Sequence, residues 1–116
     1  MTAWGHGGNA HLASNPAPGM WMTGGGQALL ERADPGIIHN DLTAAQAYEA
    51  GDTPSRVRCP VTVVVGTADR MTPPRAAGAL IEQLNDVTAV HLEGVGHSMM
   101  SEDPGSLRGI LLSALA

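Results

Sequence analysis

A carboxylate and an imidazole are the side chains of this sequence whose types and settings could do acid–base chemistry together. Asp69 lies in "GTADRMTPP", three residues past Gly66, and His97 lies in "EGVGHSMM", framed by Gly94, Gly96 and Ser98. Each follows an apolar run. A carboxylate that accepts the Nδ1 proton of a histidine fixes the ring's tautomer and leaves Nε2 as a base. Taken singly, each residue has a plain structural use. An Asp at a strand end forms turns or caps helices, and a His among glycines is often a turn residue only. Their matching settings favour the chemical use.

That use requires positions 69 and 97 to meet, and the flanking pattern supplies the means. "VTVVVG" (61–66) is a β-branched run between Pro60 and Gly66 and suits a strand covered on both faces. "PRAAGALIEQL" (74–84) opens on Pro74 and carries Ala77, Leu80, Ile81 and Leu84 on one stripe, as a helix does. "VTAVHL" (87–92) alternates like a second strand. "PGSLRGILLSALA" (104–116) reads as a second helix with Asp103 as its cap. Strand, helix, strand, helix makes a right-handed βαβα unit of α/β class with parallel strands. The loops after Gly66 and Leu92 then leave the same carboxyl edge, where open α/β sheets place their sites.

The first half has another character. Residues 1–26 are glycine-rich and loop-like. "QALLERA" (27–33) predicts a short helix ended by the turn Asp34-Pro35-Gly36. "LTAAQAYEA" (42–50) predicts another, capped by Asp41 and stopped by Gly51. The polar linker "GDTPSR" follows.

Bulk properties exclude several functions. With 116 residues the chain can form one small domain. A net charge of −5, with six Lys and Arg and no basic cluster, argues against nucleic acid or an anionic membrane as partner. Cys59 is the only cysteine, which rules out an internal disulfide and a Cys-rich zinc site. His6 and His11 lack helical i, i+4 spacing and an acidic neighbour, so no metal is expected. "VVVGTADR" lacks the G-x-G-x-x-G of a dinucleotide site, so no cofactor is expected either. No apolar stretch is long enough to cross a bilayer, and the N-terminus lacks the features of a secretory signal. The expected location is cytoplasmic.

Over roughly residues 57–116 the sequence resembles the C-terminal part of the α/β-hydrolase fold. The resemblance rests on "RCPVTVVVGTADRMTPPRAAGALIEQL" followed by "VTAVHLEGVGHSMMSEDP". In that family an apolar strand ends in G-x-x-D-x-x-x-P bearing the triad acid. A later strand ends in G-x-G-H bearing the triad histidine, with an acidic residue and Pro after it. The resemblance implies that Asp69 is the acid and His97 the base, with Glu102, Asp103 and Pro104 following. It also implies that residues 1–56 occupy the place of a lid or cap ahead of the core portion, 57–116. Trp4, Met20, Trp21 and Met22 are apolar groups that such a lid could turn toward a substrate or pack on the body. The substrate implied for the complete enzyme is a small ester-like molecule.

The family's serine sits on a G-x-S-x-G elbow ahead of the acid and histidine. No G-x-S-x-G occurs among these residues. Ser14 and Ser55 neither follow a strand nor open a helix, Ser98 adjoins the base, and Cys59 stands at the wrong end of its strand. "GHGG" (5–8) resembles the oxyanion motif of lipases but follows no strand. The sequence thus reads as the back end of a larger protein: a truncated gene product, an internal start or part of a split protein. Its partner would be a missing N-terminal half or a second copy. The alternative is a non-catalytic α/β module that binds or dimerises through an unpaired sheet edge.

Overall fold

β-Branched side chains extend the backbone, and the glycines and prolines around them decide where extension ends. The computed structural model describes residues 22–116. In chain order these form α1 (Met22–Glu31), α2 (Ile37–Ala47), a 3₁₀ turn (Thr53–Arg56), β1 (Val61–Gly66), α3 (Pro74–Ile81), β2 (Val87–Leu92), α4 (Met99–Glu102) and α5 (Pro104–Ala114). The chain is of α/β class. β1 and β2 pair in parallel, Val61 opposite Val87 and Gly66 opposite Leu92. With that register both strands end level, so the loops that follow leave one edge.

Prolines start α3 and α5. Pro74 and Pro104 each occupy a first-turn position, where the missing N–H is no loss. Asp103 caps α5 as expected, its side chain accepting from the Ser106 N–H at 3.1 Å. α3 ends at Ile81 in turns that run to Leu84, and α5 ends at Ala114.

Other boundaries differ from the sequence expectations. α1 begins at Met22 and runs through Gly24, Gly25 and Gly26, so residues 22–26 are helical rather than loop. α2 begins at Ile37, which leaves Asp41 inside the helix and not at its cap. The cause is Gly36, whose φ of 93° lets the chain reverse within the Asp34-Pro35-Gly36 turn and re-enter a helix at once. α2 also ends at Ala47, before Gly51. The polar linker folds into the 3₁₀ turn, and Asn85 Nδ2 fastens it by donating to the Ser55 carbonyl at 2.7 Å.

The apolar interior gathers under the loops. Val65, Leu92 and Val95 are buried, as is Met22. Earlier in the strands Thr62, Thr88, Ala89 and His91 are exposed. The expected double coverage of β1 is therefore partial among the described residues. In the same set each strand has one unpaired edge.

Gly66 explains why the loops lie so close together. A Cβ there would stand 2.5 Å from the Val95 carbonyl oxygen and 2.6 Å from that of Gly96. Gly66→Ala is expected to destabilise the chain by about 1–3 kcal/mol through this overlap. Gly78→Ala, inside α3 with nothing within 4 Å of its Cβ, is expected to be neutral or stabilising by up to about 1 kcal/mol. Urea unfolding of the two variants measures both.

Candidate functional site

Next to the strand ends, three hydrogen bonds join the loop after β1 to the end of β2 and the loop that follows it. The Thr67 N–H donates to the Leu92 carbonyl at 3.0 Å and the Ala68 N–H to that of Val95 at 3.0 Å. The Gly94 N–H donates to the Thr67 hydroxyl at 2.8 Å. Gly94 holds a φ of 71°, a turn for which glycine is suited. On one side the chain turns again where the Asp69 N–H reaches the Gly66 carbonyl at 3.1 Å. On the other it passes through Val95, 1% exposed, to His97.

The outcome is a contact of 2.9 Å between Asp69 Oδ2 and His97 Nδ1. Asp69 Oδ1 accepts the backbone N–H groups of Met71 at 2.8 Å and Thr72 at 2.9 Å. Oδ2 also accepts the Thr72 hydroxyl at 2.8 Å. That hydroxyl lies 3.2 Å from His97 Nδ1 and bridges the pair. Since Asp69 is surrounded by donors, Nδ1 is assigned the proton and Nε2 the lone pair.

The two partners differ in exposure, with the Asp69 side chain 5% and that of His97 42% accessible. Burial pushes the Asp69 carboxyl up. The hydrogen bonds from His97, Thr72 and Met71 together outweigh it, so the group sits below the ordinary carboxylate value. A shielded anion thus backs an accessible imidazole, an arrangement that can steady positive charge on the ring while Nε2 takes up a proton. Both residues line a cavity of about 470 Å³ with Val65, Thr72, Leu80 and Met99. That size suits a small molecule.

Of the residues singled out in the sequence, the structure brings Asp69 and His97 together. Met22 is buried at the start of α1 and is not in the cavity's lining. Trp4, Met20 and Trp21 lie outside the described residues, as do Ser14, His6, His11 and the "GHGG" stretch. Cys59 is exposed ahead of β1, at the far end from the pair. The Ser55 hydroxyl donates to the Asp52 carbonyl. Thr72 is a site residue that the sequence reasoning above does not single out. The D-x-x-T spacing, which lets a hydroxyl fold back on a carboxylate, was the signal that could have found it. Among the described residues no group of three His, Cys, Asp or Glu could hold a metal ion, and no helix is long and apolar enough to cross a membrane.

Comparison with known proteins supports the architecture. No protein-family model matches the chain, and no curated protein matches it. A solved structure does, that of an α/β-hydrolase enzyme from the metagenome of sediments from the lagoon of Mar Chica, Morocco. The match has a TM-score of 0.62 at 20% identity and covers 76% of this chain and 42% of that one. The chain therefore spans less than half the length of that enzyme and shares the fold of the part it matches.

The lowered Asp69 carboxyl has a consequence for stability. The folded chain binds this proton more weakly than the unfolded chain, so acidification favours unfolding. The contribution is fully present above the ordinary carboxylate range, about pH 4, and is lost as pH falls through the lower folded value. Urea midpoints measured against pH are expected to fall on the acid side, with a shallower slope in Asp69→Asn. Thr72→Val, which removes the bridging hydroxyl, is expected to cost about 1–2 kcal/mol near neutrality in the same measurement.

Proposed function

We propose that Asp69 and His97 are the acid and base of a serine-type α/β-hydrolase site that acts on small ester-like molecules. The 2.9 Å contact between a buried carboxylate and an accessible imidazole carries this reading. Its place at the carboxyl edge of a parallel strand pair, in a fold shared with an α/β-hydrolase, supports it.

In this reaction His97 Nε2 takes the proton of a serine hydroxyl as that oxygen bonds to the ester carbonyl. The imidazolium stays paired to Asp69 and then returns the proton to the departing alkoxide. Water, deprotonated by the same nitrogen, attacks the acyl-enzyme, and the serine oxygen recovers the proton as it leaves. Asp69 remains an anion throughout, in keeping with its four donors.

No G-x-S-x-G elbow occurs in these 116 residues. The serine is therefore assigned to a polypeptide that supplies a strand, the elbow and a helix beside this portion of the sheet. Residues 1–56 serve as a lid in this scheme, with Trp4, Met20, Trp21 and Met22 as its apolar groups, and 57–116 as part of the core. The net charge of −5 argues against a nucleic-acid or anionic-membrane partner, and a cytoplasmic location belongs to the same proposal.

A second reading, dimerisation without catalysis, is favoured by the edges of β1 and β2 that are unpaired among the described residues and by exposed Leu80, Leu111 and Leu112. A dimer in size-exclusion chromatography, with no activity on adding any elbow-bearing polypeptide, would support it instead.

The purified chain is expected to leave a p-nitrophenyl ester at its uncatalysed rate. Co-expression with a polypeptide bearing strand, G-x-S-x-G and helix is expected to restore turnover, lowered about 10⁴-fold or more by His97→Ala. Turnover by the chain alone that His97→Ala abolishes would contradict the assignment of the nucleophile elsewhere.

A further inference from the structure

Glu102 is a charged side chain with 0% exposure, five residues past His97 at the end of α4. A leucine or methionine would fill similar space without taking a carboxylate out of water, which is costly. What the carboxylate adds is an acceptor. The N–H of Gly96, itself buried, donates to Glu102 Oε2 at 3.1 Å. A buried backbone donor needs such a partner.

The main chain of Glu102 makes a second bond, its N–H donating to the Ser98 carbonyl at 3.0 Å. Gly96 and Ser98 are the two neighbours of His97. One residue thus holds the backbone on both sides of the imidazole, by side chain before it and by main chain after it. α4 has only four residues, too few to hold this geometry by helical bonds alone. Val95 fixes the apolar side of the same loop by its burial.

We propose that Glu102 is a positioning residue for His97, acting through the Gly96 amide to keep Nδ1 within reach of Asp69. The proposal deepens the reading of Asp69 and His97 as acid and base, and rests on it for its functional meaning. Side-chain length matters for this role more than charge. Glu102→Gln keeps an oxygen at the same reach, whereas Glu102→Asp keeps the charge and draws the oxygen back by one methylene.

The test is made on the full chain without substrate, by long-range ¹H–¹⁵N NMR of the His97 ring and hydrogen exchange of the β1 and β2 amides. The unaltered chain and Glu102→Gln are expected to show one Nδ1–H tautomer. Glu102→Asp is expected to exchange that proton about ten-fold faster or more, or to show mixed tautomers, while the strand amides stay protected. The positioning role is overturned if both variants keep the signature or both lose it. It is also overturned if Glu102→Asp loses the signature only together with strand protection, since that marks a part in folding alone. An unaltered chain without the signature overturns the pairing itself. Absence of ester turnover in the reconstituted enzyme, with the signature intact, would count against the hydrolase reading and leave the positioning role standing.

Discussion

How closely one loop can rest on the end of β1 decides the position of everything around Asp69 and His97. Gly66 has no side chain, and the Val95 and Gly96 carbonyls occupy the space where a Cβ would stand. From that contact the two loops can exchange the bonds of Thr67, Ala68 and Gly94. The parallel register supplies the other half of the constraint, because Gly66 and Leu92 end their strands side by side. A carboxylate and an imidazole 28 residues apart in sequence then meet at hydrogen-bond distance.

The electrostatics of the pair follow from its packing. Burial alone would push the Asp69 carboxyl up, and in the proposed reaction an uncharged carboxyl would be a poor partner for an imidazolium. Two backbone N–H groups, a threonine hydroxyl and the imidazole reverse that tendency. All but the imidazole come from Met71 and Thr72, so the loop that carries the acid also keeps it ionised. The histidine loop is braced in another way, by the buried Val95 and by the carboxylate of Glu102. Asp69 and His97 are thus braced by different partners, while their loops are joined both by the bonds of Thr67, Ala68 and Gly94 and at Asp69 Oδ2 and the Thr72 hydroxyl.

Much of this framework was legible in the residues. β1 and β2 begin and end where "VTVVVG" and "VTAVHL" do, because branched side chains and flanking Pro60 and Gly66 leave little choice. Pro74 and Pro104 marked helix starts for a similar reason, since their fixed φ suits the first turn. The start of α1 was hidden by three glycines that weigh against a helix, and that of α2 by a glycine turn that leads straight into the helix. α4 is too short to show a period. The roles of Thr72 and Glu102 were hidden for a different reason. What they do depends on a neighbour's position in space, as when the Glu102 carboxylate turns back to an amide six residues earlier. The partial cover of β1 was equally out of reach, since an apolar strand records that it is buried but not by what.

The claim on which the rest depends is that this chain by itself pairs Asp69 with His97 through Nδ1. Long-range ¹H–¹⁵N NMR of the histidine rings in the unaltered chain measures this directly, with exposed His91 as an internal reference. The expected result is a single Nδ1–H tautomer for His97 that becomes mixed in Asp69→Asn. A His97 ring with its proton on Nε2, or a pattern like that of His91 and unchanged by Asp69→Asn, would contradict it.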